Sequence, residues 1–249
     1  MDAKNENVGR RLVYGRNPVL EALASGADID RVLIQKGVEG AGRKIYALAK
    51  KAGVPVTTLE KNALGREAGT NAHQGVACYL SEFAYATVDD ILAAAAALGE
   101  APFIVLLDGI EDPHNLGTII RSADGAGVHG VVIRKNRAAQ VTPAAVKASA
   151  GAALRLPVAR AANIAQTIDY LKERGVWVYG ADTGGENYAS LTYEGAAALV
   201  VGSEGAGLSR LVREQCDHIV SIPMRGKLAS LNASCAAAVV LYEMTKDRA

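Results

Sequence analysis

The residues best suited to chemistry in this 249-residue chain lie within its last fifty positions. Gly202-Ser203-Glu204-Gly205-Ala206-Gly207 follows the apolar run Leu199-Val200-Val201. Leu228-Ala229-Ser230-Leu231-Asn232-Ala233-Ser234 comes soon after Ile219-Val220-Ser221-Ile222-Pro223-Met224. Each is a Gly-rich or polar loop that leaves a buried strand. In open α/β sheets, ligands settle beyond such strand ends, where backbone N–H and C=O groups lack ladder partners. Two such loops in succession predict a site that grips a small molecule mainly by backbone. The second loop opens an apolar helix expected over 233–244, so its polar groups must be satisfied internally or by a ligand. Glu204 is equally suited to capping backbone donors and to hydrogen-bonding a ligand.

A second candidate segment is Glu111-Asp112-Pro113-His114-Asn115-Leu116-Gly117-Thr118-Ile119-Ile120-Arg121-Ser122-Ala123. Asn115 stands where a helix N-cap is wanted. Arg121 lies between Ile119-Ile120 and Ala123 in a helix with little polar surface. It is therefore expected at a partly buried place with an anionic partner, where a guanidinium could clamp an RNA phosphate or polarise a hydroxyl. The plainer reading is a capped helix with a solvated arginine.

Other signals are weaker. Gly125-Ala126-Gly127-Val128-His129-Gly130 matches G-x-G-x-x-G, but it closes a helix and opens a strand, the reverse of a dinucleotide fingerprint. A helix C-terminal turn accounts for it. No P-loop signature occurs. His73, in His73-Gln74-Gly75, reads as structural. Cys78, Cys216 and Cys235 lack Cys-x-x-Cys spacing and read as buried free thiols in a reducing compartment, with no metal site.

These segments need elements to hold them, and the chain divides into two blocks. The first, from about 13 to 83, reads as helix 17–24 (with Asn17-Pro18 at its start), strand 31–35, helix 42–52, strand 54–59 and strand 75–80. Residues 85–100 read as a linker with one Ala-rich helix, 88–98, since alanine forms helix well but buries little. The domains expected are thus 1–84, 85–100 as linker, and 101–249. The third opens on Pro102-Phe103-Ile104-Val105-Leu106-Leu107-Asp108, a run suited to a central parallel strand buried on both faces. After it come helix 115–126, strand 128–134, helix 142–150, strand 156–159, helix 163–174, strand 176–181, strand 197–201, helix 208–215 and strand 218–222. Regular alternation of this kind predicts an α/β fold with a parallel sheet and helices on both faces.

Half of the residues are hydrophobic and 21% are charged, which describes a globular protein and excludes a disordered one. The net charge of +1 gives no global basic field. Residues 1–84 carry 12 Lys/Arg against 9 Asp/Glu, and residues 85–249 carry 15 against 17. The first block's mild basic bias permits RNA binding without demanding it. The polar stretch 1–11 has no apolar run, so no signal peptide is expected. The Ala-rich run at 93–97 is too short to span a membrane.

Taken in order, Asn115…Arg121, Gly202–Gly207 and Ile222-Pro223-Met224…Ser230-Leu231-Asn232-Ala233-Ser234 resemble the three motifs of the SpoU/TrmH family of RNA ribose 2′-O-methyltransferases. The resemblance covers the whole second block. The first block, with Tyr14-Gly15-Arg16-Asn17-Pro18-Val19-Leu20-Glu21-Ala22-Leu23 at its opening and His73-Gln74-Gly75-Val76 at its close, is similar to that family's small N-terminal α/β substrate-binding domain, which resembles a ribosomal protein. The two-domain layout is similar to that of bacterial 23S rRNA guanosine-2′-O-methyltransferases acting on the peptidyl-transferase-centre loop. The resemblance implies a C-terminal deep trefoil knot, S-adenosylmethionine as cofactor, RNA as substrate, a homodimer in which the arginine of one subunit lies near the cofactor of the other, and a cytoplasmic location without metal or membrane. It places cofactor binding on Gly202, Ile222 and Leu231, with Gly205, Gly207 and Met224 shaping the loops. It places catalysis on Arg121, with Asn115, Glu204, Ser230 and Asn232 orienting that arginine, the ribose or the cofactor. Arg121 would act as base, or would organise a phosphate as proton acceptor.

Two alternatives stand beside this reading. One is 2′-O-methylation of another RNA, either a tRNA or an rRNA adenosine whose methylation confers antibiotic resistance; the N-terminal block argues against the tRNA enzymes. The other is a non-catalytic RNA-binding assembly factor on the same scaffold, which loss of Arg121 or Glu204 would signal; both are present.

Overall fold

The computed structural model describes residues 11–24, 27–81 and 83–248. The stretch 1–10, bearing on the signal-peptide expectation, lies outside them. The chain forms two compact units, Met1–Ala84 and Tyr85–Ala249.

The first unit runs β1 (Arg11–Tyr14), α1 (Arg16–Ala24), β2 (Ile29–Gln35), α2 (Ala41–Lys51), β3 (Val56–Leu59), α3 (Lys61–Ala68) and β4 (Val76–Leu80). Its sheet has the order β1-β4-β2-β3, with β4 antiparallel to both neighbours and β3 parallel to β2. Strand residues alternate between faces. Val32, Ile34, Val76 and Cys78 pack with Val19 of α1 and with Ile45 and Ala49 of α2. Leu33, Ala77 and Tyr79 pack with Leu64 of α3 on the other side. Sequence reading passed over β1 and α3. α3 buries only Leu64 and Ala68 in eight residues and carries Gly65 inside it, so its apolar periodicity is faint. His73 is buried, and its Nδ1 accepts from the Gly75 N–H at 3.0 Å, a structural use.

The second unit runs α4 (Val88–Leu98), β5 (Phe103–Asp108), α5 (Pro113–Gly125), β6 (Gly130–Arg134), α6 (Pro143–Ala148), β7 (Val158–Ala161), α7 (Ile164–Lys172), β8 (Trp177–Asn187), β9 (Ala197–Gly202), α8 (Arg210–Gln215), β10 (His218–Ser221) and α9 (Ala233–Met244). Its six strands are all parallel, in the order β10-β8-β9-β5-β6-β7. All six residues of β5 are buried. Alternate strand residues Ile104, Leu106, Val132, Val178, Ala198 and Val200 meet α4, α7 and α8 on one face. α5, α6 and α9 pack together on the other.

The stretch 85–100 is not a linker. Ala86 bridges to Ala159 beside β7, and Ile91 of α4 is fully buried in the sheet's core. Thr87 and Asp90 form a reciprocal capping box at the helix start. Its alanines misled the sequence reading because Val88, Ile91 and Leu92 carry the packing.

β8 is longer than expected and irregular. Ile219 of β10 pairs with Gly180 and the next residue, Val220, pairs with Glu186. Residues 181–185 therefore have no register partner on β10, although the Ser221 hydroxyl donates to the Gly185 carbonyl oxygen at 2.9 Å. A β-carbon on Gly185 would lie 2.3 Å from the Ile219 carbonyl oxygen, so only glycine fits there. Among the described residues, no helix is long and apolar enough to cross a membrane.

Candidate functional site

Residues 181–183 of β8, the ends of β9 and β10, and the loop entering α9 converge on one cleft of about 220 Å³. Its lining includes Gly202, Glu204, Gly205, Gly207, Ile222, Met224, Ser230 and Leu231. Sequence-predicted positions from two motifs thus share a single concavity.

The loop after β9 is held by its own backbone. The N–H groups of Ser203 and Gly207 each donate to the other's carbonyl at 3.0 Å. A β-carbon at Gly202 would sit 2.2 Å from the Gly207 carbonyl carbon, so the loop can fold back on the strand end only over glycine. Gly205 and Gly207 have φ of +83° and +66°, the left-handed region that glycine enters freely. The far end of the loop is fixed by Asp108, which closes β5. Its Oδ2 accepts from the Ser209 N–H at 2.8 Å, and its Oδ1 lies 3.4 Å from Arg134 Nη1.

Asn115, Glu204 and Asn232 join the three motifs. Asn115 Nδ2 donates to Glu204 Oε1 at 3.0 Å. Asn232 Nδ2 donates to Asn115 Oδ1 at 3.0 Å and also to Glu204 Oε1. Asn232 Oδ1 meanwhile caps α9, accepting from the N–H groups of Ser234 (2.9 Å) and Cys235 (3.3 Å) and from Ser234 Oγ at 2.6 Å. Asn115 is not the N-cap of α5. Asp112 takes that position, accepting from the His114 N–H at 3.0 Å, with Pro113 as the first helical residue. The Asn115 amide is thereby free to reach across to Glu204. Both donors to Glu204 go to Oε1, so Oε2 has no hydrogen-bond partner among the described residues.

Arg121 stands apart. It is exposed, not half-buried, and its side chain has no ion pair or hydrogen bond among the described residues. The reason is helical geometry. The buried stripe of α5 is Leu116, Ile119, Ile120 and Ala123; His114, Thr118, Arg121 and Gly125, spaced by three and four, fall on the exposed stripe. Apolar neighbours in sequence were mistaken for neighbours in space. α9, too, has a solvent side, formed by Cys235, Val239 and Tyr242. Cys235 is consequently an exposed thiol, contrary to expectation, whereas Cys78 is buried.

Two lining or supporting carboxylates escaped the sequence reading. Asp182 lines the cleft and is held by Arg213 at 2.8 Å. Asp108 anchors the loop. Both are an aspartate at the end of an apolar run (Phe103 to Asp108, Val176 to Asp182), a signal noted for the first and passed over for the second. Among the described residues no group of three His, Cys, Asp or Glu side chains could hold a metal ion.

Residues 102–242, more than half of the chain, match the SpoU rRNA Methylase family. The chain belongs to that family. Residues 12–86 match the RNA 2′-O ribose methyltransferase substrate-binding family. The SpoU chain is 42% identical over 238 residues to YacO of Bacillus subtilis (strain 168), named for the TrmH family of tRNA/rRNA methyltransferases, covering 95% of each. Among solved structures it resembles the SpoU methyltransferase AviRb from Streptomyces viridochromogenes in complex with S-adenosylmethionine. The two are 28% identical with a TM-score of 0.60, over 96% of this chain and 90% of the other. A second is the S-adenosylmethionine-bound rRNA methyltransferase from Sinorhizobium meliloti, 26% identical with a TM-score of 0.60, over 95% and 87%. SpoU methyltransferases depend on S-adenosylmethionine.

Proposed function

We propose that this SpoU protein transfers a methyl group from S-adenosylmethionine to a ribose 2′-hydroxyl of RNA, and that its target is a guanosine of 23S rRNA in the peptidyl-transferase-centre loop. The observation that carries the reading is the Asn115–Glu204–Asn232 cluster at the rim of a glycine-built cleft. The cleft's composition fits the cofactor. Backbone of Gly202, Gly205 and Gly207 would hold its polar groups, Ile222, Leu231 and Met224 would enclose the adenine, and Glu204 Oε2 and Ser230 offer acceptors for its hydroxyls or ammonium. When bound, the cofactor supplies a methyl group already activated by a sulfonium.

The protein's own work is then position and proton handling. Asn115 and Asn232 fix Glu204, and Asp108 fixes the loop that carries it. An arginine side chain has five donors and no acceptor, so Arg121 is assigned to hold a phosphate and the reacting hydroxyl together while the phosphate receives the proton. Its exposure and lack of a partner in its own chain support a homodimer in which Arg121 serves the partner's cleft. The exposed apolar stripe of Val239 and Tyr242 on α9, packed beside α5, offers that dimer a surface. The trefoil knot belongs to this reading: the connection 222–232 leaves edge strand β10 and delivers Asn232 to Asn115 and Glu204. The expected place of action is the cytoplasm, the N-terminal unit recognising RNA and the second unit carrying out the transfer.

Mapping 2′-O-methyl sites on rRNA and tRNA from a deletion strain, with and without the gene restored, tests the target. A site that disappears and returns in the 23S peptidyl-transferase-centre loop supports the assignment; one in tRNA or at an adenosine redirects it. Mixing Arg121→Ala and Gly202→Ala chains tests the dimer. Two inactive proteins should together regain roughly a quarter of wild-type activity through hybrid dimers, whereas a site built within one chain regains none.

A further inference from the structure

Among the described residues of the N-terminal unit, the three helices differ in charge. α1 carries Arg16 and Glu21, and α3 carries Lys61 and Arg66 with Glu67. α2 carries Arg43, Lys44, Lys50 and Lys51 and no carboxylate. Its buried stripe is Gly42, Ile45 and Ala49. At 100° per residue, Arg43, Lys44, Ala47, Lys50 and Lys51 gather on the opposite side, and all five are exposed. Ala47, near the centre, leaves the middle of that face low. Tyr46 borders it, 45% exposed, with the Lys50 ammonium 5.7 Å from its ring centroid.

The helix does not itself require this pattern. Cations at a helix C-terminus complement the macrodipole, which accounts for Lys50 and Lys51. Arg43 and Lys44 sit near the N-terminus, where the dipole opposes positive charge, and the first turn contains no acidic residue. The contact of Arg43 with Glu39, at 3.7 Å between highly exposed side chains, contributes little. A polyanion would offset the repulsion. The Arg43/Lys44 and Lys50/Lys51 pairs lie seven residues apart, about 10 Å along the axis, a span that reaches non-adjacent phosphates of one strand. An exposed aromatic face beside them suits an unpaired base.

We infer that the solvent face of α2 is the docking rail for the RNA substrate, with Arg43, Lys44, Lys50 and Lys51 on backbone phosphates and Tyr46 as a stacking platform for one base. The inference rests on RNA being the substrate, and it assigns the contact to one helix of the substrate-binding unit.

The test uses the full chain carrying Lys44→Gln, Lys50→Gln and Lys51→Gln together, because glutamine keeps helix propensity close to that of lysine. Binding of a 23S rRNA fragment is followed by anisotropy between 50 and 200 mM salt. Wild-type binding should weaken steeply with salt. The triple variant should bind at least tenfold more weakly at low salt, and its log–log slope should be shallower by roughly 2, about 0.7 for each lost phosphate contact on a single strand. Lysine-to-arginine changes at the same positions should restore both. Tyr46→Ala should weaken binding roughly tenfold or more with the slope unchanged, and Tyr46→Phe should not. Affinity for S-adenosylhomocysteine and the melting temperature should stay at wild-type values throughout. Wild-type affinity and slope in the triple variant overturn the inference, as does a wild-type protein that binds no RNA. Loss of α2-dependent binding together with a wild-type protein that methylates no ribose leaves the rail standing and sinks the functional reading instead.

Discussion

Asn232 and Asn115, 117 residues apart, are joined side chain to side chain, Nδ2 of the first donating to Oδ1 of the second at 3.0 Å. The same Asn232 uses its own Oδ1 to cap α9. One amide therefore serves a helix terminus with its oxygen and the candidate site with its nitrogen.

That division predicts separable losses. Asn232→Asp keeps the capping oxygen but replaces the donor with a charge beside Glu204. Asn232→Ser keeps capping capacity without the reach. Both should hold α9, so far-ultraviolet circular dichroism should be unchanged, while S-adenosylhomocysteine affinity falls, more for the aspartate. Asn232→Ala loses the cap as well and should cost a further ~1 kcal/mol in chemical denaturation. Equal affinity in all three variants would show that the nitrogen's contacts are incidental.

Arg121→Ala should leave the melting curve and cofactor affinity untouched, because the side chain is exposed and unpaired in its own chain. Methyl transfer in single turnover should drop by roughly 10²–10⁴. Arg121→Lys should rescue poorly, since an ammonium lacks the planar fork. A near-wild-type rate for the alanine variant removes Arg121 from catalysis.

Gly202→Ala places a methyl 2.2 Å from the Gly207 backbone, with no flexible side chain available to yield. Cofactor binding by calorimetry should be lost, and thermal stability lowered. Gly226→Ala is the control: a β-carbon there meets nothing within 4 Å, so its binding isotherm should match wild type.

Ile91→Ala distinguishes a packed helix from a connector. Its side chain is fully buried, against the place where Gly130 presents bare backbone. Truncation should cost about 2–5 kcal/mol of unfolding free energy. A loss below ~0.5 kcal/mol, the size usual for surface substitutions, would restore the linker reading.

Thiol chemistry should sort the cysteines. Cys235 is exposed and should react first with a disulfide reagent at pH 8. Burial pushes Cys78 up to about 11 and, with Asp217 nearby as a lesser cause, Cys216 up to about 12, from an ordinary 9.0. Both should react only as the protein unfolds. The unfolded chain releases these protons near pH 9 while the folded chain keeps them, so their contribution to stability is complete below pH 9 and declines as pH rises towards 11 and 12. A denaturation series from pH 8 to 11 on Cys78→Ala against the parent should show a gentler decline in the variant.

Sequence reading succeeded where one physical signal dominated. β5 is legible because burial on both faces leaves an unbroken apolar run up to Asp108, and α9 because the apolar stretch from Ala233 to Met244 follows a polar loop and is too long for a strand. The cleft-lining glycines were legible from their place after strand β9. Arg121 was misplaced because adjacency in sequence says little about adjacency around a helix. Asn115 reads as a cap in the sequence because Asp112, the actual cap, looks there like part of a loop. The Asn115–Glu204–Asn232 contacts could not be read at all: they depend on how the chain brings three distant segments together, which no local pattern encodes.

The irregularity of β8 has a consequence for variation. Pairing is fixed on both sides of the unpaired stretch, Gly180 with Ile219 before it and Glu186 with Val220 after it. Asp182 and Thr183 inside it line the cleft. Since strand register is normally rigid, a wall of this kind could not ordinarily change without shifting every residue beyond it. Here the residues between Ala181 and Gly185 carry no register pairing on β10 and are tied instead to α8, Arg213 holding the Asp182 carboxylate and the Thr183 carbonyl. The shape of this wall of the cleft is thus set by side-chain contacts to a helix, and exchanges there leave the strand pairs on either side in step.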